Sequence, residues 1–384
     1  MRLRGNARLR TTAAWVAAAL IELVPGRTFA HKPITSPYTY SRDVLPLLRD
    51  HCASCHVTGG AAPMSLMTYA EAVPWAESIR DEMTSGRMPP WPVDARSPAV
   101  EDAHPISAKE IDTIVTWATG GVPPGSDAAD SVSDAPPPTW TLGRPDLTLS
   151  MDSAHTVVAG KLEELCEYSF ATALPKPRWV SAVDLLPGSP AVVRDAVISV
   201  EGGPILGLWQ PGDNPVLAPP HSAFLLPAAA RLHLQIHYKK HFDQEQQAVS
   251  DRSVIGLYFD TERMPPHAIE AIALSAPSTA PGEPRIFSAT VASGGHLLAV
   301  RPMLDAPYKE LTVDVVKPGG ERTPALRLRG PRPQWFRRYW LRTPIDLSPS
   351  SRIEVRAIPL DGHADEPKSA ARFPLEVALD YVPD

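Results

Sequence analysis

Arg231-Leu-His-Leu-Gln-Ile-His-Tyr-Lys239 decides how the chain is read. Leu232, Leu234, Ile236 and Tyr238 alternate with polar residues, which is the period of two of a half-buried β-strand. A helical period of 3.6 would scatter the same four side chains around an axis. Similar alternation recurs on both sides, at 146–151, 179–186, 191–200, 253–259, 296–303, 310–316, 325–328, 339–341, 353–360 and 375–381. Turn signals such as Pro318-Gly319-Gly320 separate these segments. Many short strands with proline-rich connections predict β-sandwiches. The strand-rich stretch is long for one sandwich, so two are expected side by side, over 141–262 and 263–384.

Composition narrows the function classes. The chain has 384 residues, 43% of them hydrophobic, enough for sizeable cores. Its 44 prolines argue for loops and sheet edges and exclude long helices and a coiled coil. A net charge of −6 without a basic run excludes nucleic acid as a partner. Arg2, Arg4, Arg8 and Arg10 precede an apolar segment and Thr28-Phe29-Ala30, the pattern of a signal peptide over residues 1–30 cleaved after Ala30. Glu22 interrupts the apolar segment, and a short uncleaved anchor is the alternative. No later stretch is long and apolar enough to span a membrane, so the mature protein is expected to be periplasmic or secreted.

Upstream of the strands the signals are helical. Thr68 with Glu71, and Ser107 with Glu110, have capping-box spacing. Ile111, Ile114, Val115 and Ala118 then repeat at helical intervals until Gly120-Gly121. Residues 31–125 therefore read as a compact all-α unit, and the acidic, proline-rich residues 126–140 as a linker.

Within that unit stands Cys52-Ala-Ser-Cys-His56, the attachment sequence of one covalent c-type haem. Cys52 and Cys55 would take the haem vinyl groups, and His56 would be the proximal iron ligand. A thioredoxin-like pair would need a βαβ surround, and a zinc site would need two more ligands nearby; the sequence offers neither. For the sixth position, Met88 in Arg87-Met-Pro-Pro-Trp-Pro92 leads, because prolines hold its loop extended. His104, Met64, Met67 and Met83 are the alternatives. Cys166 is left over, as a buried thiol or one half of a dimer disulfide.

Several of these stretches carry a resemblance. Asp43-Val-Leu-Pro, the Cys-x-x-Cys-His segment, Pro74-Trp-Ala-Glu-Ser-Ile-Arg and Met88-Pro-Pro-Trp resemble the cytochrome c domain that precedes a monooxygenase-like region in some bacterial secreted proteins. That resemblance implies His56 and Met88 as iron ligands. Trp179-Val-Ser-Ala-Val-Asp-Leu-Leu-Pro-Gly, Leu208-Trp-Gln-Pro-Gly-Asp and Leu232-His-Leu-Gln-Ile-His-Tyr resemble the copper type II, ascorbate-dependent monooxygenases, relatives of the peptidylglycine α-hydroxylating enzymes. The second resemblance implies two jelly-roll-like β-sandwiches, a copper in each and a cleft between them. Its copper ligands are largely replaced. His237 keeps one position of the first site, but Arg194-Asp195 stands where a His-His pair belongs. Met303 and Asp305 stand where the second site needs imidazoles.

The combined expectation is a multidomain α plus all-β chain: a small all-α cytochrome c domain, then two jelly-roll-like β-sandwiches. It would be an exported cytochrome passing single electrons to an unidentified redox partner. Its β region would be a docking or binding module without copper, with His237 as a remnant ligand and room for a small molecule between the sandwiches. The alternative is a copper monooxygenase fed with electrons by the fused haem domain.

Overall fold

The strand Arg231–Lys239 has the bounds its alternation predicts. Leu232, Leu234, Ile236 and Tyr238 are fully buried, while His233, Gln235 and His237 lie on the opposite, half-exposed face. Burying each large apolar side chain is worth roughly 1.5–3 kcal/mol, so the register is strongly fixed. The computed structural model describes residues 35–103, 105–126, 139–261, 264–278, 282–360 and 372–384. The expected leader with its cleavage point at Ala30, His104 and most of the expected linker lie outside the described residues.

Four sheets supply most of the molecule. Sheet I orders Leu147–Ser150, Val254–Phe259, Arg178–Leu186, Ser222–Leu226 and His267–Ala268. Sheet II orders Glu163–Ala171, Arg231–Lys239, Val193–Val200 and Ile205–Trp209. Sheets I and II enclose one core, which includes Val180, Ile198, Leu234 and Leu257. Sheet III orders Glu270–Ser275, Glu376–Pro383, Gly295–Met303 and Tyr339–Leu347. Sheet IV orders Arg285–Thr290, Arg352–Pro359, Tyr308–Val316 and Arg322–Arg329. They enclose a second core around Val300, Val313, Leu326 and Val355. A separate two-stranded ribbon pairs His155–Val157 with Val249–Asp251.

The expected fold class is corrected here. The described residues are mostly β, and among them no sizeable all-α domain precedes the sheets. The α-helices of the N-terminal part are short: Leu45–His51, Tyr69–Ala72, Ala76–Thr84 and Ala108–Thr119. Both predicted capping boxes form, and Tyr40, Ile114 and Trp117 anchor a small apolar cluster. The segment between the last two helices leaves that cluster. Val93 bridges to Leu328 and Val100 to Leu341, and Trp91 and Val93 pack into the second β core. The physical reason is the run Pro89, Pro90, Pro92 and Pro98, which cannot continue a helix and carries its apolar residues to the sheets instead. Contacts accordingly join Ser36–Asp384 into one unit.

The two β units, expected side by side, meet across the expected boundary. His267–Ala268, assigned by sequence to the second, pairs in parallel with Ser222–Ala223 of sheet I. Leu298, Trp340 and Val382 of sheet III belong to the first core, and the Trp340 ring lies 6.4 Å from Phe224. The sheets thus share apolar surface across the expected boundary, and the central strands of sheet III, Gly295–Met303 and Glu376–Pro383, are buried on both faces.

One buried carboxyl gives a pH-dependent prediction. Asp184, 6% exposed in sheet I, accepts the Leu185 N–H at 2.8 Å. Burial outweighs that bond and pushes its pKa up to about 6 from 3.8. A raised carboxyl favours folding below pH ~4, and this contribution is lost as pH rises toward 6. Asp184→Asn is therefore expected to gain up to about 3 kcal/mol over the wild type at pH 7.5 and nothing at pH 3.5. Urea unfolding of both proteins at the two pH values checks it; an equal difference at both would contradict the assignment.

Candidate functional site

The Cys-x-x-Cys-His sequence begins where the helix Leu45–His51 ends. The Cys52 and Ala53 amides both donate to the Leu48 carbonyl, and the Cys55 and His56 amides both donate to the Cys52 carbonyl. These bonds wind Cys52, Cys55 and His56 into one tight turn. Cys52 and Cys55 are unpaired thiols. Burial pushes the Cys52 thiol up to about 12, with the neighbouring Cys55 adding to it, and burial raises the Cys55 thiol too. Both are therefore protonated at neutral pH.

The imidazole of His56 is oriented by the chain. Its Nδ1 lies 3.2 Å from the Met64 carbonyl, and a carbonyl only accepts, so Nδ1 carries the proton. Nε2 is left with its lone pair. Burial lowers the pKa of His56, which keeps the ring neutral and in its ligating form. The same contact places the Met64 backbone on the Nδ1 side of the ring. Met67 and Met83 are buried in the helical cluster.

Met88 sits in a separate loop after Ala76–Thr84 and is half-buried. Its N–H donates to the Glu82 carbonyl at 3.2 Å, beside the Arg87–Glu82 ion pair at 2.6 Å. The structure brings Cys52, Cys55 and His56 together and holds Met88 on a different element.

The β region closes over this turn. The Cys55 thiol donates to the Pro211 carbonyl at 3.5 Å, and His241 Nε2 lies 2.9 Å from the Ala61 carbonyl. Gly212, at φ +86°, touches the turn so closely that a Cβ there would lie 2.5 Å from Ser54 Oγ. Only glycine suits both the conformation and the contact. Nothing in the local sequence around Cys52 pointed to this loop, because the two segments are far apart in the chain.

His237 is held at both nitrogens. Nδ1 lies 2.9 Å from Asp195 Oδ2, and Nε2 lies 2.7 Å from Glu163 Oε1. Arg372 pairs with the other Asp195 oxygen at 2.7 Å. The residue at the expected His-His position thus forms an ion-pair chain with His237. Met303 is buried in an apolar cluster with Val197 and Phe336. Asp305 takes Arg285 at 2.6 Å and the Tyr308 hydroxyl at 2.7 Å.

One cluster was missed by sequence reading. Cys166 lies 3.5 Å from His155 Nε2, which lies 2.8 Å from Glu164 Oε1. The alternation of Glu164, Cys166 and Tyr168 along Glu163–Ala171 was the available signal, but its many acidic residues obscured the strand.

No family model matches the chain, and no curated protein matches it. Among solved structures, it is similar to the major capsid protein P2 of Bacteriophage PM2, at 10% identity and a TM-score of 0.27, covering 62% of this chain and 97% of that one. A Paenibacillus xanthan lyase gives 13% identity and a TM-score of 0.20, over 68% of this chain and 28% of the lyase. A putative α-L-fucosidase from Bacteroides ovatus gives 9% and 0.20, over 72% and 43%.

Proposed function

We propose that this chain is an exported c-type haem protein that passes single electrons. The reading also implies one covalent haem on Cys52 and Cys55, ligated by His56 and Met88. The observation that carries it is the Cys-x-x-Cys-His turn with an imidazole whose Nδ1 is committed to the Met64 carbonyl. Two protonated, unpaired thiols in that turn fit the group as well. When bound, the haem would supply a one-electron couple. The protein's own part is to fix the imidazole tautomer, keep the ring neutral and shield the turn with the loop at Pro211 and Gly212.

On this reading the β region is a docking or binding module that also covers the attachment turn. Copper chemistry has no part in it. The two nitrogens of His237 already face carboxylates, and Met303 is packed in apolar surroundings. No described helix is long and apolar enough to cross a membrane.

The test is the intact mass of the exported protein after acid–acetone extraction. The expected result is the mature chain plus one haem, with an absorbance that cycles reversibly on reduction and oxidation. A bare polypeptide mass, from cells that load other c-type proteins, would overturn the reading.

A further inference from the structure

We propose that His155, Glu164 and Cys166 form a Zn2+ site on the first β unit, independent of the attachment turn. The three donor atoms come from two elements, the ribbon strand His155–Val157 and the sheet II strand Glu163–Ala171. All lie within 4.8 Å of one another, with His155 Nε2 2.8 Å from Glu164 Oε1 and 3.5 Å from Cys166 Sγ. A tetrahedral zinc with bonds of about 2.0–2.3 Å needs donor pairs roughly 3.3–3.8 Å apart. Small side-chain adjustments reach that geometry.

The supporting groups already orient the donors. The His155 ring stacks on Tyr238, with centroids 4.8 Å apart and planes 16° from parallel. Tyr238 is fully buried and its hydroxyl donates to Asp251 at 3.0 Å, so the platform beneath the imidazole is fixed. Lys161 Nζ holds the second oxygen of Glu164 at 2.5 Å, which leaves Oε1 directed at the cluster. The Lys161 contact is the kind of outer bond that orients a ligating carboxylate, and the stack fixes the plane of the imidazole.

The donor set selects the ion. A thiolate with an imidazole excludes Ca2+ and Mg2+, and a carboxylate completes a set that suits Zn2+. Binding replaces the Cys166 S–H bond with an S–Zn bond and releases that proton to solvent. The His155 Nε2 proton, which faces the Glu164 carboxylate, moves to Nδ1 so that Nε2 can take the metal, and affinity rises with pH. Three protein ligands leave the fourth position to water. His155 and Glu164 side chains are 24% and 12% exposed, so that position is reachable from solvent.

Equilibrium dialysis of the untagged, full-length mature protein against Zn2+ tests the site, with zinc counted per chain. A parallel assay follows iodoacetamide alkylation of Cys166 by peptide mass, with and without Zn2+. The expected results are one zinc per chain and at least tenfold slower alkylation of Cys166 in wild type. His155→Asn and Cys166→Ser should lose the stoichiometric zinc, and Glu164→Gln should weaken it at least tenfold. Wild-type alkylation that ignores Zn2+ would overturn the proposal without depending on any variant's folding. So would zinc retained in both His155→Asn and Cys166→Ser.

Discussion

Arg338→Ala is expected to destabilise the folded chain by about 3–5 kcal/mol, because it leaves a buried carboxylate at the junction of the two β units with only the longer Arg301 contact. Arg338 is 7% exposed, and its Nε donates to Asp380 at 2.7 Å. Its other nitrogens donate to the Leu206 carbonyl at 2.7 Å and the Ile205 carbonyl at 2.5 Å. Asp380 belongs to sheet III, whereas Leu206 and Ile205 belong to sheet II, so one guanidinium ties both cores. The guanidinium also lies 4.9 Å from the centre of Phe224 and 5.4 Å from that of Trp340. Alanine removes all of these contacts at once. Arg301 stands 3.8 Å from Asp380 and cannot replace them, since it reaches neither carbonyl in sheet II. Lysine should recover little, because an ammonium cannot present the planar fork that serves a carboxylate and two carbonyls together. Urea unfolding with two probes measures the effect. The variant should also unfold in two separable steps as the cores uncouple, and a loss below 1 kcal/mol would show that the junction rests on apolar contact alone.

That junction also explains what sequence reading could and could not reach. Local patterns were legible wherever a local interaction decides the outcome. Arg231–Lys239 follows from its own alternation, and the Thr68 and Ser107 caps follow from residues three positions apart. Glu163–Ala171 and Arg285–Thr290 were not legible, because their half-exposed faces carry charges or small residues that blur the period. The all-α domain was expected from helix signals that do exist. Helical propensity says nothing about where Trp91, Val93 and Val100 find a core, and they find it in the sheets. Among site residues, the turn of Cys52, Cys55 and His56 could be read as a motif. The His155 cluster could not, since its donors meet only once the ribbon folds against sheet II.

Cys52→Ala/Cys55→Ala should abolish covalent haem entirely, while Met88→Ala should leave it attached and alter only its potential. The distinction follows from the separate elements involved. Attachment needs both thiols, and removing them leaves at most a haem held by His56, which acid–acetone would extract. Loss of His56 should also be severe, because no other described imidazole sits in that turn with its Nδ1 already committed to a carbonyl. Met88 stands outside the turn, on a loop braced by the Glu82 carbonyl and the Arg87–Glu82 pair. A thioether raises the potential relative to histidine or water. Met88→His should therefore lower it on the order of 100 mV, a modest part of the ~0.8 V that axial ligation spans. Mass spectrometry reads the attachment, and redox titration of the purified variants reads the potential. If Met88→His keeps the wild-type potential, the sixth ligand is another residue, to be sought by substitution at Met64, Met67, Met83 and His104. If the double cysteine variant still carries haem through extraction, the attachment reading itself fails, whatever the potential of Met88→His.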